Sequence, residues 1–104
     1  MIEWTQAQQQ LVVDILRRHL PTGVRVHAFG SRTRPGQSRP YSDLDLLLTG
    51  PGKLSRGLLF TLEEAFELSA LPYRVDIVDA HRIAPSFLAA IQAASEPVPL
   101  SVTG

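Results

Sequence analysis

Three carboxylates carry the first chemical signal in this chain of 104 residues. Asp43 and Asp45 are separated by one leucine in the run Asp43-Leu44-Asp45-Leu46-Leu47-Leu48. On a β-strand, residues two apart share a face, so both carboxylates project together while Leu44, Leu46 and Leu48 project into the core. Neighbouring carboxylates repel and resist ionisation, and a divalent cation between them removes that penalty. Magnesium suits the position, since it takes one or two carboxylates and completes its shell with substrate phosphates. Asp76 stands in a run of the same kind, Arg74-Val75-Asp76-Ile77-Val78-Asp79. If that strand lies beside the first, Asp76 completes a trio able to hold two metals about 3.5–4 Å apart for phosphoryl transfer. Taken singly, each signal is weak. An Asp-x-Asp pair is more often an exposed polar edge than a metal site.

A second element sits just upstream. Gly30-Ser31 follows a run of alternating residues, where glycine permits close backbone approach and successive amides can cradle phosphate oxygens. The Ser31 hydroxyl adds a hydrogen bond, and Arg32 and Arg34 offer charge-assisted contacts to a triphosphate. The same residues could form a plain turn followed by a solvated loop, which is the better reading of Arg39. Arg32, Arg34 and Arg39 lie between Phe29 and Tyr41 with no acid among them, and the acids follow at once. A cationic loop beside paired carboxylates suits an anionic ligand that brings a metal with it.

These groups need elements to position them. Thr5 and Gln8 have the spacing of a capping box, and Val12, Ile15, Leu16 and His19 recur at helical period, predicting a helix to about residue 20. Pro21 and Gly23 end it. Alternation predicts a strand over 24–29, a loop over 30–42, and a second strand over 43–48. A second loop spans 49–57. Leu58, Leu62, Ala65, Phe66 and Ser69 mark one face of a second helix, and 73–78 reads as a third strand. Asp79 is suited to capping the next turn, and Pro85 to the first turn of a helix reaching about residue 94. The proline-punctuated tail at 96–100 is extended, with room for a short last strand. The expected fold is α/β (α+β), a single unit over residues 1–104 in which helices pack on a small mixed sheet.

Composition bounds the rest. Ten basic and ten acidic residues balance, which argues against a general nucleic-acid binder. No cysteine is present, so disulfides and thiolate metal sites are excluded. No apolar run approaches the ~20 residues needed to span a bilayer, and the first ten residues are too polar for a signal peptide, so a cytoplasmic location is expected. His19, His27 and His81 lack metal-ligand spacing. Lys53 lies in a glycine-proline loop, Trp4 reads as a packing residue against the first helix, and nothing in the sequence decides whether Tyr41 and Tyr73 flank a pocket.

Taken together, Phe29-Gly30-Ser31-Arg32-Thr33-Arg34, Ser42-Asp43-Leu44-Asp45 and Val75-Asp76-Ile77 resemble the DNA-polymerase-beta-like nucleotidyltransferase superfamily, and within it the minimal nucleotidyltransferase (MNT) branch. The resemblance covers most of the chain. It implies that Gly30 and Ser31, with Arg32 and Arg34, bind the nucleotide phosphates. It implies that Asp43, Asp45 and Asp76 are catalytic and ligate Mg2+, two ions in all, with ATP as substrate. The minimal branch is commonly encoded beside a helical HEPN-type toxin, so the implied activity is transfer of AMP to a hydroxyl of that partner, as an antitoxin. Two alternatives stand beside it: an antitoxin that works by complex formation alone, and a small-molecule transferase of the aminoglycoside-modifying kind. Homo- and hetero-oligomers both remain open. One departure is visible. Eleven residues separate Ser31 from Asp43, one more than the family pattern, which loosens the assignment of the arginines more than that of the aspartates.

Overall fold

The computed structural model describes residues 2–100. The ends of the expected 1–104 unit, residue 1 and residues 101–104, lie outside the described residues. The elements follow the predicted order: α1 (Gln6–His19), β1 (Arg25–Phe29), β2 (Leu44–Thr49), α2 (Arg56–Glu67), β3 (Val75–Asp79), α3 (Pro85–Ala93) and β4 (Glu96–Pro97). Short 3-10 turns follow β1 at Ser31–Thr33 and β3 at Ala80–Arg82. The sheet runs β3-β2-β1-β4, with β1 antiparallel to both neighbours and β2 parallel to β3. It is therefore mixed, as expected. No helix among the described residues is long and apolar enough to cross a membrane.

The two faces of the sheet are covered differently. Leu44, Leu46 and Leu48 of β2, Val26 and Ala28 of β1 and Val75 of β3 pack against Val12, Ile15 and Leu16 of α1 and Leu62 and Phe66 of α2. Leu47 points the other way, into a smaller cluster with Ala80 and Ile91 of α3. Burial on both faces explains why β2 reads as an almost unbroken apolar run after Asp45. The four leucines from 44 to 48 are fully buried.

Local chemistry sets the boundaries. Thr5 and Gln8 form the reciprocal capping box, and Ser55, unmarked by any acid or glutamine three residues on, caps α2 through the Leu58 amide. Pro85 occupies the start of α3. The third strand begins two residues later than expected, because Tyr73 and Arg74 lead into it from a turn.

Asp79 does more than cap. Its carboxylate accepts from the His81 amide at 2.9 Å and the Leu54 amide at 2.8 Å, and lies 3.4 Å from Arg82 Nε. Arg82 in turn donates to Leu54 O at 2.7 Å. This pair, buried at Asp79 and half-buried at Arg82, ties the loop after β2 to the end of β3. Asp79→Ala would strand the Leu54 amide and the Arg82 charge together, an expected loss of about 3 kcal/mol in urea unfolding with an unchanged m-value.

Candidate active site

The site is assembled by strand register. In the parallel β2–β3 pair, Asp45 stands directly opposite Asp76. In the antiparallel β1–β2 pair, Asp45 stands opposite Phe29, so Gly30 falls at its flank. The Gly-Ser turn, Asp45 and Asp76 thus follow one another across β1, β2 and β3, on the α3 side of the sheet. Asp43 lies exposed just before β2.

Gly30 has φ of +82° and ψ of −157°, a conformation that only glycine adopts without strain. A Cβ there would overlap the Asp45 carboxylate. Glycine is therefore required twice over, for its backbone angles and for the approach of the acid. The turn that follows closes through Thr33 N to Gly30 O at 3.1 Å and Arg34 N to Ser31 O at 3.2 Å. Its first amides, at Ser31 and Arg32, stand at the open start of a helical turn, where no intrahelical partner exists.

The carboxylates feel one another. Burial, then Asp76 and then Asp43 push the Asp45 carboxyl up to about 6. Asp76 has a partial counter-charge in Arg74, whose Nε lies 3.2 Å from its carboxylate. Sequence reading passed over Arg74, although strand parity places residues 74 and 76 on one face. Among the described residues, no three Asp, Glu, His or Cys side chains draw close enough to form a ready metal cage. Asp45 and Asp76 are brought together, and Asp43 stands nearer the solvent as the third charge. A cleft of about 890 Å³ opens beside them, lined in part by Phe29, Asp45, Glu67, Arg74, Asp76 and Phe87. A more apolar groove of about 850 Å³, lined by Ile2, Trp4, Pro35, Pro40 and Tyr41, contains none of the three aspartates.

One expected contact is corrected. Arg32 is not exposed to a ligand: it retains 4% of its surface, and its guanidinium is spent on main-chain carbonyls. It donates to Ser42 O at 2.8 Å, Glu3 O at 2.7 Å, Pro40 O at 3.0 Å and Arg39 O at 3.3 Å. Its planar group lies 3.6 Å from the centre of the Tyr73 ring. Tyr73 is buried, while Tyr41 is exposed. Arg34 is exposed on the loop and free to turn toward an anion. His81 is occupied with Gly50 O at 2.8 Å.

A mixed sheet with a Gly-Ser turn after β1 and facing acids on β2 and β3 is the arrangement that the nucleotidyltransferase resemblance implies. The family model described as nucleotidyltransferase domain matches residues 10–96, and the chain belongs to that family. It is 36% identical over 74 residues to the Haemophilus influenzae protein "Probable protein adenylyltransferase MntA", an alignment covering 71% of this chain and 64% of the relative. The aligned stretch thus spans slightly less than two thirds of that relative's length. The fold is similar to a chain of a toxin–antitoxin structure with AMP-PNP, at TM-score 0.72, 22% identity, 89% of this chain and 73% of that one. It is also similar to a chain of the Shewanella oneidensis complex between a tri-AMPylated HEPN toxin and its MNT antitoxin, at TM-score 0.69, 18% identity, 92% of this chain and 72% of that one.

The raised Asp45 value has a consequence for stability. The folded chain holds that proton more tightly than the unfolded chain, whose ordinary value is 3.8. Folding is therefore favoured by protonation, and stability falls as pH rises from about 4 through about 6. Asp45→Asn removes the penalty. At pH 7 it is expected to stabilise by about 1–2 kcal/mol after allowance for solvent screening, and at pH 3.5 by almost nothing. Thermal unfolding of both proteins across that range checks it.

Proposed function

We propose that the chain transfers AMP from ATP to a hydroxyl of a partner protein, a HEPN-type helical toxin, and so acts as its antitoxin. The observation that carries this reading is the Asp45–Asp76 pair, two acids of like charge held opposite each other beside a glycine that must be glycine. A protein that only bound its partner would have no use for that costly arrangement. The AMP-PNP of one similar structure and the AMPylated toxin of another support the choice of nucleotide and acceptor. A cytoplasmic location belongs to the same reading, since an ATP-consuming transfer needs a compartment that supplies ATP.

In this reading Gly30 and Ser31 receive the β- and γ-phosphates at the turn, where exposed Arg34 adds charge. Asp43, Asp45 and Asp76 fit Mg2+, because burial first, and then the neighbouring charges of Asp76 and Asp43, raise the Asp45 carboxyl, and a cation offsets both the burial of its charge and the repulsion. Bound Mg2+ would neutralise charge on the transferring phosphoryl group and the leaving pyrophosphate. Asp76, at the edge of the trio farthest from the Gly-Ser turn, accepts the proton of the acceptor hydroxyl. That oxygen bonds to the α-phosphorus as the bond to the bridging α–β oxygen breaks, releasing pyrophosphate. Arg74 holds Asp76 in place from the next position on the same face.

Radiolabelled ATP, Mg2+ and a HEPN-type helical partner provide the test. Label is expected to move from α-labelled ATP to the partner, to stay behind when γ-labelled ATP is used, and to fall at least about 100-fold with Asp43→Ala or Asp76→Asn. Binding of the partner that persists in Asp43→Ala, with no label transferred by the wild type, would replace this reading with an antitoxin acting by complex formation.

A further inference from the structure

We infer that Arg32 is a positioning residue for the transfer reaction, a buried clamp that sets the distance between the Gly-Ser turn and the aspartates. The inference rests on the nucleotidyl-transfer reading above, but its central claim concerns geometry. Arg32 follows Ser31 directly, so its backbone belongs to the phosphate-binding turn. Its side chain reaches the three segments that lead into the site or brace it.

The first is the loop ahead of β2. Arg32 Nε donates to Ser42 O, the residue immediately before Asp43, and Nη2 donates to Pro40 O and Arg39 O. The second is the lead-in to β3. The guanidinium stacks on Tyr73, three residues before Asp76, and the next residue, Arg74, accepts the Leu44 amide at 2.9 Å. The third is the N-terminal arm, gripped from both ends: Arg32 Nη1 donates to Glu3 O, and the Glu3 amide donates to Arg32 O, each at 2.7 Å. Glu3 also accepts from the Ser38 hydroxyl at 2.6 Å, which pins the middle of the same loop. One rigid fork thus fixes the turn, the Asp43–Asp45 strand and the Asp76 strand to one another.

A guanidinium suits this role and an ammonium does not. Its planar fork satisfies several carbonyls in fixed directions while its face lies on an aromatic ring. Among the described residues no ion pair within 4 Å involves Arg32, so its buried charge is met by carbonyl dipoles and the Tyr73 ring, with the Glu3 carboxylate acting at longer range. That is a demanding environment to assemble for a loop of no consequence. It also accommodates the additional residue between Ser31 and Asp43. The carbonyls at 39, 40 and 42 are held to Arg32 whatever the length of the exposed part of the loop before them.

The test compares Arg32→Lys, which keeps the charge and loses the fork, with Tyr73→Leu, which removes the platform. Val12→Ala, a core change in α1, serves as a control for lost stability. Misplacing reacting groups by about 1 Å costs on the order of 100-fold in rate. For label transfer to the helical partner, kcat is expected to fall about 10- to 100-fold in both variants, with KM for ATP changed less than about threefold. Val12→Ala should keep its kcat below its own unfolding temperature. Amide hydrogen exchange, which needs no acceptor, should quicken over residues 39–45 and 74–76 in Arg32→Lys and Tyr73→Leu and not in Val12→Ala. Should Arg32→Lys fail to fold, Tyr73→Leu decides by the same two measurements. Wild-type kcat in Arg32→Lys, or exchange at those segments no faster than in Val12→Ala, overturns the inference. A wild type that transfers no label overturns the functional reading instead and leaves the exchange measurement to judge the clamp.

Discussion

Two negative charges face each other across adjacent strands, and the protein holds them there because β2 cannot slip. Leu44, Leu46 and Leu48 fill the main core, while Leu47 fills the smaller one on the opposite side. A shift of one residue in the β2–β3 ladder would turn the three core leucines into the α3 side and send Asp45 into the apolar interior. The burial of each leucine contributes about 1.5–3 kcal/mol, which exceeds what repulsion between half-exposed carboxylates can withdraw. Hydrophobic packing therefore supplies the force that keeps the acids together. The raised proton affinity of Asp45 records first the burial that this packing imposes and then the repulsion of Asp76 and Asp43.

The remaining parts of the site are built outward from this pair. Glycine at position 30 lets the chain leave β1 against the Asp45 carboxylate and turn at once into the Ser31 amide. Asp79 and Arg82 tie the loop after β2 to the end of β3, fixing the end of the strand pair away from the acids. Arg32 and Tyr73 occupy the end nearer the acids. The carboxylate pair is thus braced at both ends by a cation, the half-buried Arg82 paired with an acid and the buried Arg32 surrounded by carbonyls. In the proposed function such rigidity matters, since the acids would have to keep their spacing while phosphates arrive and pyrophosphate leaves.

Much of this was readable from local pattern. Period-two alternation placed the strands and the shared face of Asp45 and Asp76, while Asp43, expected on the second strand, falls just before it, and the Thr5–Gln8 box and Pro85 marked helix starts. What failed was the reading of Arg32 as a ligand for phosphate. An arginine beside a Gly-Ser turn looks solvated when only its neighbours are considered. Its actual partners are 7 to 29 residues away, at Arg39, Pro40, Ser42 and Glu3, and the ring beneath it belongs to Tyr73. No periodicity records such contacts. The roles of Tyr73 and of Asp79 beyond its cap were hidden for the same reason. Arg74 was different: its place beside Asp76 follows from parity, and the signal was present in the sequence.

In the proposed function, Asp43, Asp45 and Asp76 would hold a divalent ion beside a nucleotide seated on the Gly-Ser turn. Crystals grown with Mn2+ and a non-hydrolysable ATP analogue would test it most directly through the anomalous scattering of the metal. A strong anomalous peak is expected at the Asp45 and Asp76 carboxylates, with the β- and γ-phosphates against Gly30 and Ser31. Nucleotide bound elsewhere, or seated at the turn with no metal at either acid, would contradict it.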